Sequence, residues 1–136
     1  MHATVKENIV FHRPWDATRY RLAIESCALL EDIQSFSGNK GDETEIGEKG
    51  LILSRGQKAR ISLARAVYAN ADVYLLDFSA VNVEVAETLM KKCVMGALRN
   101  KTRVVVTHHR RWLASMDQIV VVQDSPGADR LGRPVP

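Results

Sequence analysis

From Asp16 onward, apolar residues recur at helical spacing. Tyr20, Ala23, Ile24, Cys27 and Ala28 share one face, with Arg21 and Glu25 paired on the other, which predicts a helix over 16–30. Asp16 is its cap, because a carboxylate there can accept from the free N–H groups of the first turn. Polar residues and glycines from Ser37 to Gly50 then mark a loop. A second helix opens at Ser54, where Ser54 and Gln57 form an S-x-x-Q capping box, and closes near Asn70. Its stripe of Ala59, Leu63, Ala66 and Val67 is widened by Ile61, Ala64 and Tyr68, so the helix is expected to be largely buried.

Short apolar runs dominate the rest. Val73–Asp77 has the length and content of a buried parallel strand. A third helix is expected from Asn82, with Ala86, Leu89, Met90, Cys93, Val94 and Ala97 on one face. Arg103–Thr107 and Gln118–Val122 are predicted strands, separated by a short helix or turn at Arg110–Ser115. Strand, helix, strand, helix, strand is an α/β order. The residues after Asp124, rich in Pro and Gly, read as an irregular tail.

Composition narrows the classes. The 136 residues are 46% hydrophobic with a net charge of +3, which excludes a disordered, collagen-like or wholly coiled-coil chain. The balance of 19 basic to 16 acidic residues permits an anionic partner without demanding one. Cys27 and Cys93 are far apart, which argues for buried small side chains rather than a disulfide framework or thiolate metal site. No apolar run approaches the ~20 residues of a membrane-spanning helix.

The chemistry concentrates at Leu53-Ser54-Arg55-Gly56-Gln57-Lys58. A glycine that lets the backbone approach a ligand, a hydroxyl, and the free N–H groups of a helix start make a phosphate site possible. An ordinary capped helix is the alternative. His108 with His109 as metal ligands finds no acidic or cysteine partner nearby, and Arg110-Arg111 is a solvated end rather than a nucleic-acid patch.

Leu-Ser-x-Gly-Gln at 53–57, Ala59–Tyr68 and Ala71–Asp77 together resemble the ATPase cassette of ABC transporters. Thr4–Ile9 and Thr44–Gly50 are most similar to the first cassette of its multidrug-resistance-associated (C) subfamily. The resemblance covers residues 3 to 123, with the motifs in the family's order. It implies an α/β, P-loop-NTPase-like cassette, partial here: a helical signature subdomain (1–70), an ATPase-core remnant of parallel strands with helices (71–123) and the tail (124–136).

The resemblance also implies roles. Ser54, Arg55, Gly56 and Gln57 occupy the signature motif, which contacts the γ-phosphate of ATP held by an opposite cassette. Asp77 matches the aspartate that orients Mg²⁺ through water, His108 the switch histidine, and Glu45 a loop that touches the coupling helices of a membrane domain. The implied cofactors are ATP and Mg²⁺. The implied partners are a second cassette and a transmembrane domain, with no nucleic acid, at the cytoplasmic face of a membrane.

The departures are equally informative. No G-x-x-x-x-G-K-[ST] occurs, so the loop that wraps ATP phosphates is missing. Where the subfamily has Asp-Pro-Leu-Ser-Ala-Val-Asp, this chain has Phe78-Ser79-Ala80-Val81-Asn82 after Asp77. Phe78 thus stands near the place of the general base, Asn82 replaces an interfacial aspartate while still able to cap a helix, and Arg55 replaces the first signature glycine. The resemblance therefore implies a cassette truncated at the front, inactive alone, and left with a hydrophobic sheet edge that makes it aggregate or need a partner. The alternative is a degenerate remnant or regulatory module docking on another cassette. A DNA-repair ATPase head would bring long coiled coils, which the sequence lacks.

Overall fold

The computed structural model describes residues 3–36, 40–47, 51–78 and 81–122. Strand β1 (Ala3–Thr4) leads directly into helix α1 (Val5–Val10). Thr4 and Glu7 build a capping box: the Glu7 N–H donates to Thr4 Oγ1 and the Thr4 N–H to the Glu7 carboxylate. The Thr-x-x-Glu spacing carries that signal, so this helix, absent from the predicted elements, is legible in the sequence.

Helix α2 (Ala17–Ser26) starts as expected, with the Arg19 N–H donating to Asp16 Oδ1 at 2.9 Å. It stops short of the predicted residue 30. Ala28 adopts a left-handed φ of 53°, the Leu29 N–H turns back to the Ile24 carbonyl, and helix α3 (Leu30–Ser35) departs in a new direction. A left-handed alanine costs ~1–2 kcal/mol. The turn buries Leu29 completely, and burying a leucine stabilises by ~1.5–3 kcal/mol, so packing overrides helical periodicity here.

A 3₁₀ turn (Gly41–Glu43) precedes strand β2 (Glu45–Ile46), which pairs antiparallel with β1. Helix α4 (Arg55–Ala69) follows and ends at Asn70 in the left-handed conformation asparagine tolerates. Ile61, Leu63, Ala64, Val67 and Tyr68 bury its inner face, as its stripe predicts. Arg65 clamps α1 to α4, donating from Nε to the Asn8 carbonyl at 2.6 Å and stacking over Phe11. The Tyr68 hydroxyl donates to the Pro14 carbonyl and accepts from the Asp16 N–H, pinning the start of α2. Tyr20 adds an edge-on ring contact with Tyr68. Burial, together with its hydrogen bond to Asp42, pushes the Tyr20 phenol pKa well above its ordinary value.

Strands β3 (Val73–Asp77) and β4 (Thr102–Val106) form a parallel pair in register from Val73 opposite Thr102 to Asp77 opposite Val106. Between them, helix α5 (Val83–Leu89) continues into a π-wound segment (Met90–Ala97), seen in the five-residue hydrogen bond from the Leu98 N–H to the Cys93 carbonyl. Its inner residues Ala86, Leu89, Met90, Cys93 and Val94 are buried, against α2 among others. Cys27 and Cys93 are free thiols in this core, and the Cys27 thiol pKa is raised by its contact with Cys93 and by burial.

One expected strand is corrected. Gln118–Val122 pairs with nothing among the described residues, and Val122 is 91% exposed. A strand exists only by hydrogen-bonding a neighbour, and an apolar run cannot supply that neighbour itself. Arg110–Ser115 is a 3₁₀ helix. Gln123 and the expected tail from Asp124 lie outside the described residues.

Candidate functional site

Three groups of residues carry the expected chemistry. The first is the start of α4. The Gln57 N–H donates to Ser54 Oγ at 3.2 Å and the Ser54 N–H donates back to Gln57 Oε1 at 2.9 Å, which is the expected capping box. The other end of the Gln57 amide is held as well: Nε2 donates to Asp32 Oδ1 at 2.9 Å, while Arg60 binds Asp32 Oδ2 at 2.5 Å. Asp32 on α3 therefore fixes the first turn of α4. Sequence spacing could not reveal it, since the contacts span 25 and 28 residues.

Ser54 and Arg55 are exposed at this tip, and Gly56 is half-buried. Packing does not demand glycine at 56. A Cβ there would meet only Arg60 Nη1 at 3.5 Å and Ser54 Oγ at 4.0 Å, ordinary contacts with movable side chains. Glycine inside a helix costs ~0.5–1 kcal/mol relative to alanine. The tip thus carries a glycine, an exposed serine with its hydroxyl, and the positive end of a fifteen-residue helix.

The second group stands at the carboxyl edge of the parallel pair. The register sets Asp77 at the end of β3 opposite Val106, and β4 then runs on to Thr107, His108 and His109. Asp77 and His108 are brought to the same sheet edge, the position where open α/β sheets bind ligands. Both are exposed. Phe78 turns the other way: it is buried, and its N–H donates to the Val106 carbonyl at 3.1 Å. Asn82 caps α5, accepting from the Val85 N–H at 2.9 Å. Ser79 and Ala80 lie outside the described residues. No cluster of three or more His, Cys, Asp or Glu suited to a metal occurs among the described residues.

The third group is a cleft of about 1130 Å³ between α1, β2 and the approach to α4. Phe11, Trp15, Ile46 and Ile52 give it an apolar lining, and Lys6 and Lys58 add positive charge. Lys6 lies 4.7 Å above the Trp15 ring and pairs with Glu43 at 2.8 Å, which raises the lysine pKa. Glu45 is exposed on β2 beside this cleft and pairs with Thr4 in the backbone ladder. Composition did not point to the cleft, because Phe11, Trp15 and Ile52 fit no periodic face.

No helix among the described residues is long and apolar enough to cross a membrane. A family model described as ABC transporter matches residues 1–79. The chain is 50% identical over 127 residues to ABC transporter C family member 7 of Dictyostelium discoideum, covering 91% of this chain and 9% of that protein. It is 44% identical over 126 residues to ABC transporter C family member 9 of Arabidopsis thaliana, covering 91% and 8%. With the multidrug resistance protein mrp-7 of Caenorhabditis elegans it shares 50% identity over 123 residues, covering 88% and 8%. The chain thus spans less than a tenth of the length of these curated relatives. With its ordered motifs at the start of α4 and the ends of β3 and β4, the chain belongs to the ABC transporter family, among relatives of the C, multidrug-resistance-associated, branch.

Proposed function

We propose that this chain acts as the signature-bearing part of an ATP-binding cassette, completing a nucleotide site whose phosphate-wrapping loop belongs to a second cassette. The observation that carries this reading is the tip of α4, with a half-buried Gly56 that internal packing does not require, beside an exposed Ser54. Backbone N–H groups at a helix start suit a phosphate, and glycine, having no Cβ, leaves room for close approach. Ser54 and Gly56 would face the terminal phosphate of ATP, with Gln57 braced by Asp32 to hold the turn. Arg55 adds bulk and positive charge at the same tip and narrows the approach.

The donor set fits the nucleotide only in part. Asp77 is one hard carboxylate, suited to holding Mg²⁺ through water. His108 at the same edge would contact the terminal phosphate. Bound ATP supplies the phosphoanhydride bond that hydrolysis breaks. This chain has no carboxylate at Phe78 to activate water, and loss of a general base costs ~10²–10⁴-fold in rate. The chain alone is therefore inactive. Residues 1–70 form the helical signature part and 71–123 the strand-bearing part of this assignment. Glu45 and the neighbouring apolar cleft form its face toward a transmembrane domain, which sets the chain at the cytoplasmic side of a membrane. A non-catalytic docking module is the second reading, favoured by the buried Phe78 at the end of β3.

The test mixes the full chain with a C-family cassette that carries an intact phosphate-wrapping loop. ATP-dependent association, weakened in a folded Gly56→Ala and lost in Gly56→Asp, is the expected result. Association indifferent to ATP and to Gly56→Asp overturns the signature role and leaves the docking reading. Mg²⁺-dependent hydrolysis by the chain alone, abolished by Asp77→Asn, overturns the inactivity.

A further inference from the structure

We propose that His109 is a positioning residue for His108, holding its imidazole at the carboxyl edge of β4 by ring stacking. This rests on the role of His108 given above and adds the group that orients it. The His108 and His109 ring centroids are 4.1 Å apart with planes tilted by 39°. His109 in turn meets Trp112 edge-on, at 5.0 Å and 62°, a favourable aromatic geometry. Trp112 is only 8% exposed and belongs to the core, so the three rings form a continuous line from the interior to exposed His108.

The backbone on either side of the stack is also held. The His109 N–H donates to Thr107 Oγ1 at 3.1 Å, which fixes the turn out of β4. Arg111, in the same 3₁₀ helix as Trp112, is ion-paired with Glu87 on α5. An exposed side chain beyond a strand end otherwise keeps its rotamer freedom, and ordering it later, on ligand contact, costs entropy. Stacking on a ring anchored in the core removes that freedom beforehand. A shared metal is the competing explanation for two adjacent imidazoles. It lacks further ligands, since no suitable cluster of three occurs among the described residues.

The test uses the full chain, uniformly isotopically labelled, without nucleotide. The His108 ring resonances are expected to sit away from their random-coil positions because of the neighbouring ring. That displacement is lost in His109→Ala and retained in His109→Phe, which keeps an aromatic ring but no imidazole nitrogen. The amide spectrum of α4 reports whether each variant is folded. Unchanged His108 resonances in a folded His109→Ala overturn the proposal, as does loss of the displacement in a folded His109→Phe. If His109→Ala fails to fold, His109→Phe alone decides, by retention or loss. The nucleotide role is read separately, by His108→Ala in the mixed-cassette association experiment. No effect there removes the phosphate contact, and with it the function of the stack, while the resonances still report the stacking itself.

Discussion

Tyr68 on α4 and Leu75 on β3 are near neighbours in sequence, yet the first is fully buried and the second is 78% exposed. Around Tyr68, helices α1 and α2 pack on α4, with α3 beside them, and polar groups are paired across these helices and their connections: Tyr68 with Pro14 and Asp16, Arg65 with Asn8, Asp32 on α3 with Gln57 and Arg60. Around Leu75 only one sheet face is packed. Tyr74 and Leu76 point into the core, while Val73, Leu75, Val104 and Val106 form an exposed apolar face, and Ile119–Val122 is exposed as well. Parallel strands normally have both faces covered. The helical region pairs most of its polar groups internally, whereas the sheet region leaves one face without a covering layer among the described residues.

The sharpest way to break this contrast is at Asp32. Its carboxylate and the Arg60 guanidinium are 15% and 12% exposed, and Arg60 Nε has no partner among the described residues, so Asp32 is its main compensation. Removing one partner of a buried ion pair leaves the other charge uncompensated, and Asp32→Ala is expected to destabilise by about 3 kcal/mol, at the low end for such pairs because some water reaches both groups. Urea denaturation measures it. The same variant frees Gln57 and should loosen the start of α4, seen as faster amide exchange in its first turn.

A smaller loss is expected from Tyr68→Phe. The ring stays and the packing with it, but the Pro14 carbonyl and the Asp16 N–H lose their partner. Leaving partly buried polar groups unsatisfied costs about 1–3 kcal/mol. Thermal unfolding of the variant checks this, and an unchanged melting temperature would mean that water replaces the hydroxyl there.

The two regions also differ in how far they can be read from sequence. The caps at Asp16 and Ser54, the stripe of α4 and the strands β3 and β4 are local signals, and the structure has each in place, with β4 shifted by one residue. The helix break at Ala28 is not local, since it is driven by the burial of Leu29. Nor is Asp32, whose partners lie a whole loop away. Gln118–Val122 fails for the opposite reason: its local strand signal is strong, and no strand among the described residues pairs with it. At the candidate site, the placement of Ser54 at a helix start and of Asp77 at a strand end is legible from the sequence. The stack of His109 on Trp112 is not, because ring contacts depend on a turn that periodicity does not encode.

The smallest effect on folding should come from the sheet's open face, and that smallness is itself the test. Leu75 contributes little to the core while 78% exposed, so Leu75→Lys should change unfolding free energy by less than about 0.5 kcal/mol, as for ordinary surface substitutions. Its effect on association should be large by comparison. The lysine places a charge in the middle of the apolar face formed with Val73, Val104 and Val106, and an exposed apolar face of this kind drives association between copies. Light scattering should show the wild-type chain self-associating with concentration and the variant remaining dispersed. If Leu75→Lys instead unfolds the chain, Leu75 is covered by another part of the same polypeptide and the contrast between the two regions collapses. If both chains stay monomeric, the face is tolerated in water and needs no covering layer.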